Sequence, residues 1–139
     1  MQKKWKSLCF VLISAIILIA GCSTPVPKVV IPTNFKESAI PMAENLVAGL
    51  DEQDYAIFTR DFDEKMVNAL PSTAMTEIRK LLWDQNGNYQ SMEFKQAIEQ
   101  KGFIVTIFNL VFERGNLDMQ LVFSAEPPYK ISGLWFPPK

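Results

Sequence analysis

The chain has 139 residues, 14 basic and 15 acidic groups, no histidine and a formal charge of −1. Without histidine it has no Ser-His-Asp or Cys-His nucleophile system, no ordinary His/Cys zinc site and no imidazole switch near neutral pH, which leaves carboxylates, lysine and tyrosine for any catalysis. A mildly acidic chain is a poor match for nucleic acid, which selects basic patches.

The first element is a targeting segment. Lys3, Lys4 and Lys6 precede an apolar run of 13 residues, Leu8 to Ala20, which closes on Leu18-Ile19-Ala20-Gly21-Cys22. A basic start, a short apolar run and small residues at the exit define a secretory signal. A cysteine directly after Ala-Gly is a bacterial lipobox. Residues 1–21 therefore read as a lipoprotein signal peptide, with Cys22 as the lipidated residue. As a helix the run would reach roughly 20 Å, short of the about 30 Å hydrocarbon core that a transmembrane anchor must cross. Two or more acyl chains, palmitate among them, hold a protein stably on a membrane. The expected location is thus the extracytoplasmic face of a cell membrane, with the membrane as a partner through Cys22. Removing residues 1–21 leaves 118 residues with 11 basic and 15 acidic groups, a formal charge of −4. Cys9 departs with the signal and Cys22 is acylated, so no disulfide supports the fold, which stands on packing alone.

Residues 22–37 contain Pro25, Pro27 and Pro32 and show no helical period. They read as an extended tether, with an edge strand through Val29-Val30-Ile31 as the alternative. Residues 38–139 form one domain. Pro41 suits the first turn of a helix, and Met42, Leu46 and Leu50 then recur every fourth residue. Asp51 is placed to cap a second short helix. Tyr55, Phe58, Phe62, Met66 and Leu70 continue an apolar stripe, broken near Arg60-Asp61, where Asp61 and Glu64 have the spacing of a capping box. Pro71 ends that helix and Ser72 caps the next, whose face is Met75, Ile78 and Leu82 and whose end is Gly87.

From Tyr89 the period becomes two. Gly115-Asn116 carries a two-residue hairpin signal that would pair Phe112 with Met119, Leu110 with Leu121 and Phe108 with Phe123. These six residues form one apolar face. The opposite face holds Ile107, Val111 and Val122, bordered by Asn109, Gln120 and Ser124, and is a candidate interface. Pro127-Pro128 marks the next turn, and Tyr129 to Phe136 is the last strand, stopped by Pro137-Pro138. Helices followed by antiparallel strands make an α+β fold with the helices on one sheet face.

An ordered set of short patterns then resembles one family: Leu50-x-x-x-Asp54-Tyr55; Phe58-x-x-Asp61-Phe62-Asp63-x-x-Met66; Gly87-x-Tyr89-x-Ser91; Phe112-Glu113-x-Gly115; and Ser132-Gly133-Leu134-Trp135-Phe136. It is similar to domain of unknown function 3887 over about residues 40–138. The resemblance implies a curved, cone-shaped (cystatin-like, SnoaL-like) sheet wrapped around helices, in the nuclear-transport-factor-2-like superfamily. It implies no activity. Some members of that superfamily hold a pocket inside the cone and move protons there. In this chain Tyr55, Trp83, Tyr89 and Trp135 are the polar-handled aromatics that could line such a pocket, or simply fill core.

Other site signals are weak. Asp51, Glu52, Asp54, Asp61, Asp63 and Glu64 do not have the spacing of a calcium loop, and helix capping accounts for Asp51 and Asp61. Asp84-x-Asn86-x-Asn88 starts such a loop but has Tyr89 at its glycine position and Lys95 at its twelfth. No metal, cofactor or catalytic residue is expected. Two readings remain. One is a non-catalytic binding or interaction domain displayed at the cell surface, with a homodimer, a surface protein or a small molecule as its partner. The other is a small SnoaL-like pocket enzyme using a carboxylate and a tyrosine. An open apolar pocket with a buried carboxylate would favour the enzyme, and an interior filled by Phe, Leu and Met the binding domain.

Overall fold

Phe35, Ala39, Ala43, Leu46, Val47 and Leu50 share one helical face, and that stripe begins six residues before Pro41. The computed structural model describes residues 29–138; the signal segment, Cys22 and the tether up to residue 28 lie outside the described residues. Helix α1 spans Phe35–Glu52 and runs through Pro41. It therefore begins inside the stretch expected as tether, and Pro41 is not its first turn. Phe35 is the reason: it is 1% exposed and meets Phe123 and Tyr129 edge-on at 5.3 and 4.9 Å. Burying a phenylalanine is worth about 1.5–3 kcal/mol, comparable to the ~3 kcal/mol that an internal proline costs. Val29 and Ile31 pack against the core without forming a strand.

Helix α1 ends at Gln53, which takes a left-handed conformation (φ 59°). Helix α2 (Tyr55–Thr59) is capped by Asp54, whose carboxylate accepts the N–H groups of Ala56 and Ile57 at 2.9 and 3.0 Å. Helix α3 (Glu64–Ala69) is capped by Asp63, which accepts from Met66 N at 2.7 Å. The caps thus fall on Asp54 and Asp63 instead of Asp51 and Asp61. Asp61 is used elsewhere: its side chain accepts from Asn45 Nδ2 at 2.8 Å, and its carbonyl accepts from Ile131 N at 2.8 Å. Helix α4 (Ser72–Asn86) begins after Pro71 and ends at Gly87. Among the described residues no helix is long and apolar enough to cross a membrane.

Strands β1 (Tyr89–Gln100), β2 (Phe103–Phe112), β3 (Gly115–Phe123) and β4 (Ile131–Trp135) form an open, curved antiparallel sheet in the order β1-β2-β3-β4. The molecule is α+β, with its helices on the concave side. The β2–β3 turn is Glu113-Arg114 rather than Gly115-Asn116, so Phe108 pairs with Met119 and Leu110 with Leu117. The expected pairs are displaced along β3 by four residues, an even number, so no side chain changes face. Phe108, Leu110, Phe112, Met119, Leu121 and Phe123 all remain on the buried face, each at most 3% exposed. Ile104 and Thr106 extend it, and the Thr106 hydroxyl donates to Leu121 O at 3.4 Å. These residues interlock with Phe35, Leu46, Leu50, Phe58 and Ile131 in one core.

Candidate functional site

The short patterns that singled out this chain come together as joints between elements. Gly87 has φ 80°, and a Cβ there would stand 2.8 Å from Glu113 Oε2; only glycine fits the turn and the close approach. Just beyond it, Asn88 donates its backbone N–H and its Nδ2 to the Glu113 carboxylate at 3.0 and 3.1 Å. Arg114 completes the joint from the same turn, donating Nη2 to Asp84 O at 2.8 Å and its backbone N–H to Asn86 O at 2.9 Å. The last turn of α4 and the β2–β3 turn are thereby locked together. The accepted hydrogen bonds from Asn88, backbone first and side chain second, with Arg114 adjacent, hold the Glu113 carboxyl below its ordinary pKa.

A second joint links α1, α2 and α3. The Gly49 position abuts Phe58, and a Cβ there would lie 2.2 Å from Phe58 N. The Tyr55 hydroxyl donates to Leu70 O at 2.9 Å, at the end of α3. A third joint is Asp61-Phe62-Asp63 against β4. Phe62 forms a parallel bridge with Ile131, and Asp63 N donates to Ile131 O at 2.9 Å.

The four candidate pocket residues do not converge. Tyr55 sits at the α2–α3 joint. Trp83 and Tyr89 both pack edge-on against Phe112, at 5.2 and 5.8 Å. Arg79 stacks over Trp83 at 5.0 Å. Trp135 lies on the opposite, convex face, 59% exposed. Burial raises the Tyr89 pKa, and the negative charges of Glu44 and Asp51 raise it further, so the phenol is protonated at neutral pH and is no general base. Among the described residues no carboxylate is buried, and no three acidic side chains gather as a metal site would need. The acidic residues from Asp51 to Glu64 serve as caps and joints or face solvent.

On the convex face Ile107 and Val122 adjoin across β2 and β3, because Ile107 pairs with Gln120 and Val105 with Val122. Trp135 pairs with Gln120 on β4, so Gln120 lies between it and Ile107, and the exposed Phe103 and Ile98 continue toward the β1–β2 turn next to a buried Val105. Val111 lies apart, paired with Asn116 near the other end. Between it and Ile107 runs a polar row in which Lys95 meets Asp118 at 3.1 Å beside Asn109. The expected three-residue patch therefore divides in two.

The C-terminal segment makes two clefts that the alternation of residues did not reveal. One, about 380 Å³, lies between α4 and the last strand and is lined by residues including Leu81, Leu82, Gln85, Leu117 and Phe136. The other, about 240 Å³, is lined by Asn109, Asn116, Leu117, Asp118, Pro137 and Pro138. The sequence signals were Leu81, an apolar residue off the buried stripe of α4, and Pro137-Pro138, which read only as a strand stop. The larger cleft offers apolar groups and amides, suited to holding an apolar side chain and without a group that could transfer a proton.

Residues 43–134 match the family described as protein of unknown function DUF3887, and the chain belongs to that family. No curated protein matches it.

Proposed function

We propose that this DUF3887 protein is a lipid-anchored, extracytoplasmic interaction domain, held on the membrane through Cys22 and acting by binding rather than by catalysis. The observation that carries the binding reading is the division of the sheet's two faces. The concave side is filled by Phe35, Phe108, Leu110, Met119 and Phe123, while the convex side presents an exposed Trp135 across Gln120 from Ile107, with Val122 on the neighbouring register position. An exposed tryptophan bordered by aliphatic residues is the composition of an interface anchor. The carboxylates and tyrosine that a SnoaL-like pocket enzyme would use are engaged in caps and joints, which supports the non-catalytic reading. The filled concave sheet remains compatible with a SnoaL-like origin whose pocket has been occupied by side chains.

A second copy of the chain is the first partner to test. Sedimentation of the purified mature domain over rising concentration should show a monomer–dimer equilibrium. Trp135→Ala and Val122→Lys should each shift it toward monomer without loss of the circular dichroism of the fold. A wild-type domain that stays monomeric at high concentration removes self-association. A substrate turned over by the domain removes the non-catalytic reading.

A further inference from the structure

We propose that the end of the molecule formed by Val30, the β1–β2 turn and the β3–β4 loop is its membrane-facing pole, with Phe103 seated in the lipid interface. The inference rests on the reading of Cys22 as the lipid anchor and adds an orientation to it. Three placements carry it.

The first is where the chain enters the domain. Phe35 at the start of α1 packs on Phe123 and Tyr129, and Phe123 pairs with Ile104, next to Phe103. The entry segment, the β1–β2 turn at Lys101-Gly102 and the β3–β4 loop therefore share one end of the sheet. Cys22 lies seven residues before Val29. Seven residues span at most about 25 Å, roughly the ~27 Å length of an 18-residue helix such as α1. An anchor at Cys22 thus holds the chain's entry into the domain within about 25 Å of the bilayer, and the chemistry of this end decides which pole turns toward it.

The second is the chemistry of that end. Val30 is 82% exposed, Phe103 46% and Ile98 39%. These are three of the exposed large apolar residues of the domain, and a phenylalanine at the tip of a hairpin is suited to the headgroup–acyl boundary, where apolar rings are stabilised by partial burial.

The third is charge. Around the β1–β2 turn and the β3–β4 loop, Lys101 and Lys130 are matched in number by Glu99 and Glu126. The contact is therefore apolar in origin and needs no anionic headgroup, unlike a polybasic surface. The two clefts that border Leu117, Pro137 and Pro138 then face away from the membrane, open to solvent.

The test uses the full chain, processed and purified from the membrane fraction, in phosphatidylcholine vesicles that carry a nitroxide on the lipid. An environment-sensitive dye is attached through Gln100→Cys or, separately, through Asn116→Cys; both positions are exposed. The dye near the β1–β2 turn should be quenched several-fold more by the lipid nitroxide than the dye at 116, and Phe103→Asp should abolish that difference. Phe103 is half-exposed, so this variant keeps the fold. Equal quenching at the two positions, or a difference that Phe103→Asp leaves intact, overturns the orientation while the anchor stands. A chain that carries no acyl mass on Cys22 and does not float with the vesicles overturns the anchor and the orientation with it.

Discussion

At the scale of single residues, the polar groups of this domain are explained by the backbones they hold. Glu113 is the clearest case. Its pKa is lowered in the folded state from an ordinary 4.5, so its contribution to stability is present above that value and is lost as the pH falls through the lower, folded-state pKa. Glu113→Gln should lower the urea midpoint at neutral pH and leave it less sensitive to acid than that of the wild type. Identical acid limbs for the two proteins would show that the Asn88 contact is not what shifts the carboxyl. Gly49 makes a steric prediction. A methyl group there would overlap the Phe58 backbone, so Gly49→Ala should destabilise by about 1–3 kcal/mol, as overpacking does. A neutral result in chemical denaturation would mean that α1 and α2 can part freely.

At the scale of elements, what was legible in the sequence is what periodicity controls. The switch from a helical period to a period of two at Tyr89 locates the sheet, and alternation assigns every β2 and β3 residue to its face. Gly115-Asn116 is the better hairpin dipeptide, but the turn forms at Glu113-Arg114 because contacts with the end of α4, 27 or more residues upstream, select it. Local pattern cannot carry that information. The even displacement preserves the faces, so Leu121→Ala should cost ~2–5 kcal/mol and Gln120→Ala little in either register. Nuclear Overhauser contacts separate the registers: Phe108 should contact Met119 and Leu110 should contact Leu117, whereas a direct Leu110–Leu121 pairing would restore the Gly115-Asn116 turn. The start of α1 was hidden in the same way, since Pro41 is a strong local signal and the burial of Phe35 under Tyr129 is a tertiary one. The convex patch was legible as a face but not as a surface. Trp135 joins it only because β4 pairs with β3, and Val111 leaves it only because Lys95 reaches Asp118 across β2.

At the scale of the whole molecule, the filled interior and engaged polar groups leave this small domain its surfaces with which to act, and the proposed anchor would present them on a membrane. The proposed lipobox is a linear motif, of a kind that processing enzymes read before folding and independently of the domain behind it. The partner is not legible, because an interface is a property of two surfaces and the sequence describes one. The anchor is the premise on which location, orientation and accessible surface all depend. The most direct measurement is incorporation of labelled palmitate into the full chain in growing cells, compared with Cys22→Ser. The wild type should carry label and yield a processed, membrane-bound product, and Cys22→Ser should leave an unlabelled and unprocessed precursor. Equal label in the two proteins, or none in the wild type, would contradict the anchor.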